Sequence, residues 1–173
     1  MKGNKDFGYY KDCFSSLHTM KKAGKQAPHK ALLLLSVIDL VERGIITDNH
    51  ISLNEELIKQ FKLNTKRFLG NSVLFNPSVN YPYYHLQSEP FWQLISKSNC
   101  PIDGITNYSL ANLRKNIAYA HMDEELFNLL KDSNVRARFR VVLITKYLND
   151  QPTLADNLSM MILALGYLTS LVA

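Results

Sequence analysis

Residues 28–44 read PHKALLLLSVIDLVERG, and this run constrains the fold more than any other. Wound as a helix, it spreads Leu32 to Leu35, Val37, Ile38, Leu40 and Val41 over most of its circumference. A helix that is apolar nearly all round is stable only inside a domain, so other elements must wrap it. Pro28 suits the first turn, where a missing N–H costs nothing, and Gly44 suits the stop. The chain has 173 residues, 46% of them apolar, which is enough for one domain, residues 1–173, built around such a helix.

The flanking segments supply the wrapping. FGYYKDCFSSLHTM reads as a first helix, ended by the lysine and glycine run around Gly24. Ser52-Leu-Asn-Glu55 has the spacing of a capping box and opens a helix with Leu57, Ile58 and Phe61 inward, broken at Gly70 and Asn71. YYHLQ and FWQLIS, separated by Ser88, Glu89 and Pro90, read as two short strands of a hairpin, with Trp92 as a core anchor. Asp123 to Lys131 and Val135 to Leu148 read as amphipathic helices, and Thr153 onward as a last, buried one. The order predicts an α+β fold, a mostly helical single domain with a small antiparallel hairpin or sheet.

Several chemistries find no support. Cys13 and Cys100 form no CxxC, so neither a disulfide framework nor a cysteine zinc site is expected, and a reducing cytoplasm suits the chain. The histidines at 18, 29, 50, 85 and 121 make no HxxxH or HxH pair, and no metal or cofactor is expected. There is no G-x-S-x-G elbow, Walker loop or G-x-G-x-x-G, and no acid followed two residues later by lysine, so no enzymatic activity is expected of this chain. The closing run LSMMILALGYLTSLVA has 16 uncharged residues. A bilayer span needs about 20, so no membrane partner is expected.

Charge is placed unevenly. Residues 1–30 hold seven lysines against Asp6 and Asp12, which accounts for the whole formal charge of +5. KKAGKQAPHK thus reads either as a phosphate-facing loop or as a solvated terminus. Lys66-Arg67 and the Arg136, Arg138, Arg140 triplet read as solvated helix faces. In NPSVNYPYYHLQ, three tyrosines crowd around Pro82, with His85 and Gln87 following; a plain interior strand would not hold that proline. If the segment is a strand, Tyr83 and Tyr84 face opposite sides and one of them packs inward.

APHKALLLL at 27–35 and NYPYYHLQSEPFWQL at 80–94 together carry a resemblance. A proline-histidine-basic triplet opens a leucine-rich helix, and a Tyr-Pro-aromatic stretch with Leu-Gln, then Trp, follows. The pair resembles the sulfur-binding domain that precedes the HNH nuclease domain in some McrA-like type IV restriction enzymes. The resemblance implies binding of double-stranded DNA carrying a backbone phosphorothioate, in restriction of modified DNA, with an HNH nuclease domain in cis or in trans. It implies that His29 and Lys30 hold phosphate, with Lys22 and Lys25 beside them. Apart from the resemblance, Gln87 is a candidate for reading a base edge in a groove. Tyr81 and Pro82 match the apolar wall of the sulfur pocket, with Tyr83 and His85 adjoining. The chain departs from the family at Ala31, where a second proline is common, and at the bulky Tyr83, Tyr84 and His85, where a small residue is usual. Sulfur is softer and less hydrated than oxygen, so an apolar wall favours it, whereas an ordinary phosphate oxygen would lose water there without gaining a hydrogen bond. The alternative reading is a protein-interaction or oligomerisation domain without nucleic acid.

Overall fold

The computed structural model describes residues 5–22, 24–70, 75–97 and 101–149. The predicted central helix is present as α2 (His29–Glu42), and Ala31 to Leu35, Val37, Ile38 and Leu40 are all buried. Around it lie α1 (Phe7–Ser15), α3 (Glu55–Leu69), α4 (Asn80–His85), α5 (Leu110–Asn116), α6 (Glu124–Leu130) and α7 (Ser133–Tyr147). α2 packs directly on α3, α4 and α7, and α1 packs on α7 through Phe7 and Phe14, whose rings lie 4.8 and 4.7 Å from Phe139. Two-residue strands β1 (Lys21–Lys22) and β2 (Lys25–Gln26) form a small hairpin before α2. A three-stranded antiparallel sheet has the order β3 (His50–Ile51), β5 (Ile117–Met122), β4 (Trp92–Ser96). The fold is α+β and mostly helical, as expected.

The buried helix carries one polar stripe, and α3 and α7 meet it. Asn64 donates to Ser36 Oγ (3.2 Å) and, with Gln60, to Asp39 Oδ2. Arg140 reaches across from α7 to Asp39 (2.8 Å) and Glu42 (2.6 Å). Arg136 lies 3.7 Å from Glu42, and Arg138 sits over the Phe7 ring at 3.7 Å. Of the arginine triplet, expected as a solvated face, Arg136 and Arg140 are partly buried in ion pairs with α2, while Arg138 remains exposed.

Three expectations are corrected. YYHLQ is not a strand: it belongs to α4 and the 3₁₀ turn Leu86–Ser88. Pro82 is the third residue of α4, where backbone donors have no intrahelical acceptor, so the proline that suits a strand poorly is accommodated in a first turn. The partner of FWQLIS is IAYAHM, pairing Trp92 with Met122 and Leu94 with Ala120. The cap of α3 is Asn54, whose Oδ1 accepts from Leu57 N at 3.0 Å, not Ser52. α1 stops at Ser15, where the Ser15 and Ser16 hydroxyls bond back to the Lys11 and Asp12 carbonyls. Trp92 is buried as predicted and donates Nε1–H to the Tyr83 carbonyl at 3.2 Å. The helix predicted from Thr153 lies outside the described residues. No helix among the described residues is long and apolar enough to cross a membrane.

Candidate nucleic-acid interface

The basic segment folds into the hairpin that leads into α2. Lys22 pairs with Lys25 across a two-residue loop, and Gly24 at φ 77° supplies the left-handed residue such a loop requires. The hydrogen bond from Ala27 N to Met20 O (2.7 Å) closes the hairpin and delivers the chain to Pro28. Lys21, Lys22 and Lys25 are exposed on it.

His29 and Lys30 open α2 but do not share that exposure. Lys30 keeps 6% of its surface, and its Nζ donates to Glu89 Oε1 at 2.5 Å and to Ser88 Oγ at 2.7 Å. The expected phosphate-holding lysine is therefore already neutralised by a carboxylate. His29 is half-buried, with its ring edge-on to Phe75 at 5.8 Å, and its Nε2 is buried without a hydrogen-bond partner. Burial pushes its pKa down and keeps the imidazole neutral. A cleft of about 210 Å³ lies beside the hairpin, lined by Lys25, Gln26, Pro28, Phe75, Lys146 and Tyr147 among others.

On α4 the helical period sorts the aromatic stretch into two faces. Tyr81 and His85, four residues apart, are both exposed, while Pro82, Tyr83 and Tyr84 are buried. Tyr83, expected beside the sulfur pocket, is at 0% exposure, and its hydroxyl donates to the Ile51 carbonyl at 2.7 Å; it is a core residue with no surface left for a ligand. Tyr81 is 51% exposed. Tyr108, half-buried in the loop before α5, stands against this face: its ring lies 6.0 Å from Tyr81, 5.1 Å from His85 and 4.6 Å from Tyr84. Asn80 Nδ2 donates to the Tyr108 carbonyl at 2.6 Å, which ties that loop to the start of α4. The result is a patch of aromatic edges open to solvent. Gln87 is half-buried in the 3₁₀ turn that follows.

Glu89 joins the two halves. Its side chain is 2% exposed, and its oxygens take Lys30 Nζ, the His18 backbone N–H (2.9 Å) and His18 Nδ1 (3.2 Å). Burial by itself would raise its pKa; the hydrogen bond and charge of Lys30, with His18 adding to them, outweigh this and hold the carboxyl below its ordinary range. Ser88 Oγ, accepting from Lys30, donates to the His85 carbonyl at 3.0 Å. The His85 pKa is lowered by the partial burial of its ring and then by the nearby Lys30 charge.

The two stretches singled out in the sequence thus meet in space. The start of α2 and the 3₁₀ turn that follows α4 are linked by the Lys30–Ser88 and Lys30–Glu89 bonds; the basic hairpin leads into α2, and the Tyr81–His85–Tyr108 patch is built on α4. Glu89, His18 and Tyr108 were not among the predicted contact residues. Glu89 had one sequence signal, a lone acid shortly after a polar turn in a segment otherwise without charge; Tyr108 had none. No group of three or more His, Cys, Asp or Glu able to hold a metal ion occurs among the described residues. Scans against protein-family models and against curated proteins return no match to this chain.

Proposed function

We propose that this chain is a DNA-recognition module of the sulfur-binding type, contacting duplex DNA through the β1–β2 hairpin and meeting a backbone phosphorothioate with the aromatic patch of α4. The observation that carries the reading is the junction at Lys30. It bonds the start of α2 to Ser88 and Glu89, and so ties together APHKALLLL and NYPYYHLQSEPFWQL, the two segments that bear the resemblance. The hairpin carries exposed cations and α4 carries exposed ring edges, the two chemistries a phosphorothioate diester asks for: charge for the phosphate and an apolar face for the sulfur. The polar work is divided differently from the residue-by-residue expectation. Phosphate contacts fall to Lys21, Lys22 and Lys25, whereas Lys30 holds the two halves of the surface together.

The electrostatic share is common to modified and plain DNA, and the apolar share belongs to sulfur. The module binds without cutting, and cleavage is the task of a nuclease domain of the HNH kind. The test compares one duplex with and without a single stereo-defined phosphorothioate, across a salt series, using the full chain. Preference for the modified duplex, reduced about 5- to 30-fold in Tyr81→Ala, supports the reading. Metal-dependent cutting by this chain alone, or absence of any DNA binding, contradicts it; the latter outcome favours a protein-interaction domain.

A further inference from the structure

His18 is an exposed ring that the protein holds still. Its side chain is 75% exposed, yet both its backbone N–H and its Nδ1 are bound by the Glu89 carboxylate, which is itself 2% exposed. Fixing an exposed side chain costs rotamer entropy and gains little stability by itself, so the arrangement serves something outside the ring. Nδ1 faces the carboxylate, which leaves Nε2 on the solvent side of the ring. His18 also stands at the foot of the basic hairpin, three residues before Lys21, and shares its carboxylate with Lys30.

We propose that His18 is a further phosphate contact of this interface, carried on the Glu89 carboxylate and donating through Nε2. The inference rests on the DNA-binding reading above. The proton balance is simple. With Nδ1–H given to Glu89, a neutral ring offers phosphate only a lone pair at Nε2, so contact with a phosphate oxygen takes up one proton there. Because contact takes up a proton, binding is linked to pH, and affinity falls as pH rises.

The groups around His18 favour this role. Glu89 faces Nδ1 at 3.2 Å, and Lys30 shares the same carboxylate. From α7, the Tyr147 hydroxyl accepts from the neighbouring Leu17 N–H at 2.9 Å, and from α1 Cys13 lies within the field of Glu89; burial raises the pKa of both, so they stay uncharged. The other two histidines of this surface have their pKa values lowered, His29 by burial and His85 by partial burial and then by the Lys30 charge.

The experiment measures the affinity of the full chain for the phosphorothioate duplex and its plain counterpart between pH 5.5 and 8.5 at fixed ionic strength. Wild type is expected to lose roughly ten- to a hundredfold across this range, the size of one charge-assisted hydrogen bond, and equally for both duplexes. His18→Gln, which keeps a donor for Glu89, is expected to lose the slope and to remain at the weak, high-pH affinity. His18→Arg is expected to lose the slope and to remain at the tight end. Thermal melting of both variants serves as the folding control. A His18→Gln protein that melts like wild type and keeps the full pH slope overturns the inference while leaving DNA binding intact. A wild type that binds neither duplex overturns both.

Discussion

Lys30 and Glu89 are the residues on which the candidate surface depends, and their pairing has measurable consequences. Both are buried, and removing one partner leaves the other charge desolvated without its principal counter-ion. Lys30→Met and Glu89→Gln are each expected to cost about 3–5 kcal/mol. The double variant should cost clearly less than the two together, because it removes the uncompensated charge. Urea unfolding of the four proteins measures this; strict additivity would mean that the two side chains are not coupled. Since the Glu89 carboxyl is held below its ordinary range, its stabilisation is fully present above about pH 4.3, the unfolded glutamate value. It is lost as pH falls through the lower folded value. Melting curves between pH 3 and pH 6 should therefore show an acid loss in wild type that is smaller in Glu89→Gln.

At the scale of elements, caps and pairings decide where the sequence was readable. Asn54→Ala should destabilise α3 by about 1 kcal/mol, whereas Ser52→Ala should change stability little; the reverse order would restore the capping box at Ser52. α2 and α3 were legible because their apolar pattern and terminal glycines are local signals, and α6 and α7 because theirs are amphipathic. The misread element was α4. A three-tyrosine run has strand propensity, and only packing against α2, with Tyr83 bonded to Ile51 O and Trp92 to Tyr83 O, makes six residues helical. β5 was missed for the same reason. IAYAHM gains its register from β3 and β4, which lie far away in sequence. On the candidate surface, the basic character of residues 21–25 and the exposed Tyr81 were legible from residue type, but the β1–β2 pairing of those lysines was not. The burial of Lys30 was not, because it depends on Glu89, 59 residues away.

At the scale of the whole molecule, the proposed function divides the surface into a face that meets DNA and faces that do not. On that proposal the hairpin lysines supply the shared electrostatic attraction, so Lys22→Ala and Lys25→Ala should each lower the salt slope, for modified and plain duplex alike. The expected change is about 0.9 for every phosphate that the variant no longer neutralises. Unchanged slopes would remove the hairpin from the interface. The three-stranded sheet carries a different ring cluster: His50 lies 4.4 Å from Tyr119 and 5.8 Å from His121. That cluster serves as a built-in control. The most direct measurement is a backbone amide chemical-shift titration of the full chain with the phosphorothioate duplex. Shifts are expected to concentrate at residues 18–26, at Tyr81 and His85, and around Tyr108, with the sheet around Tyr119 and His121 unmoved. Shifts centred on the sheet, or none at saturating duplex, would contradict DNA recognition by the hairpin and the α4 patch.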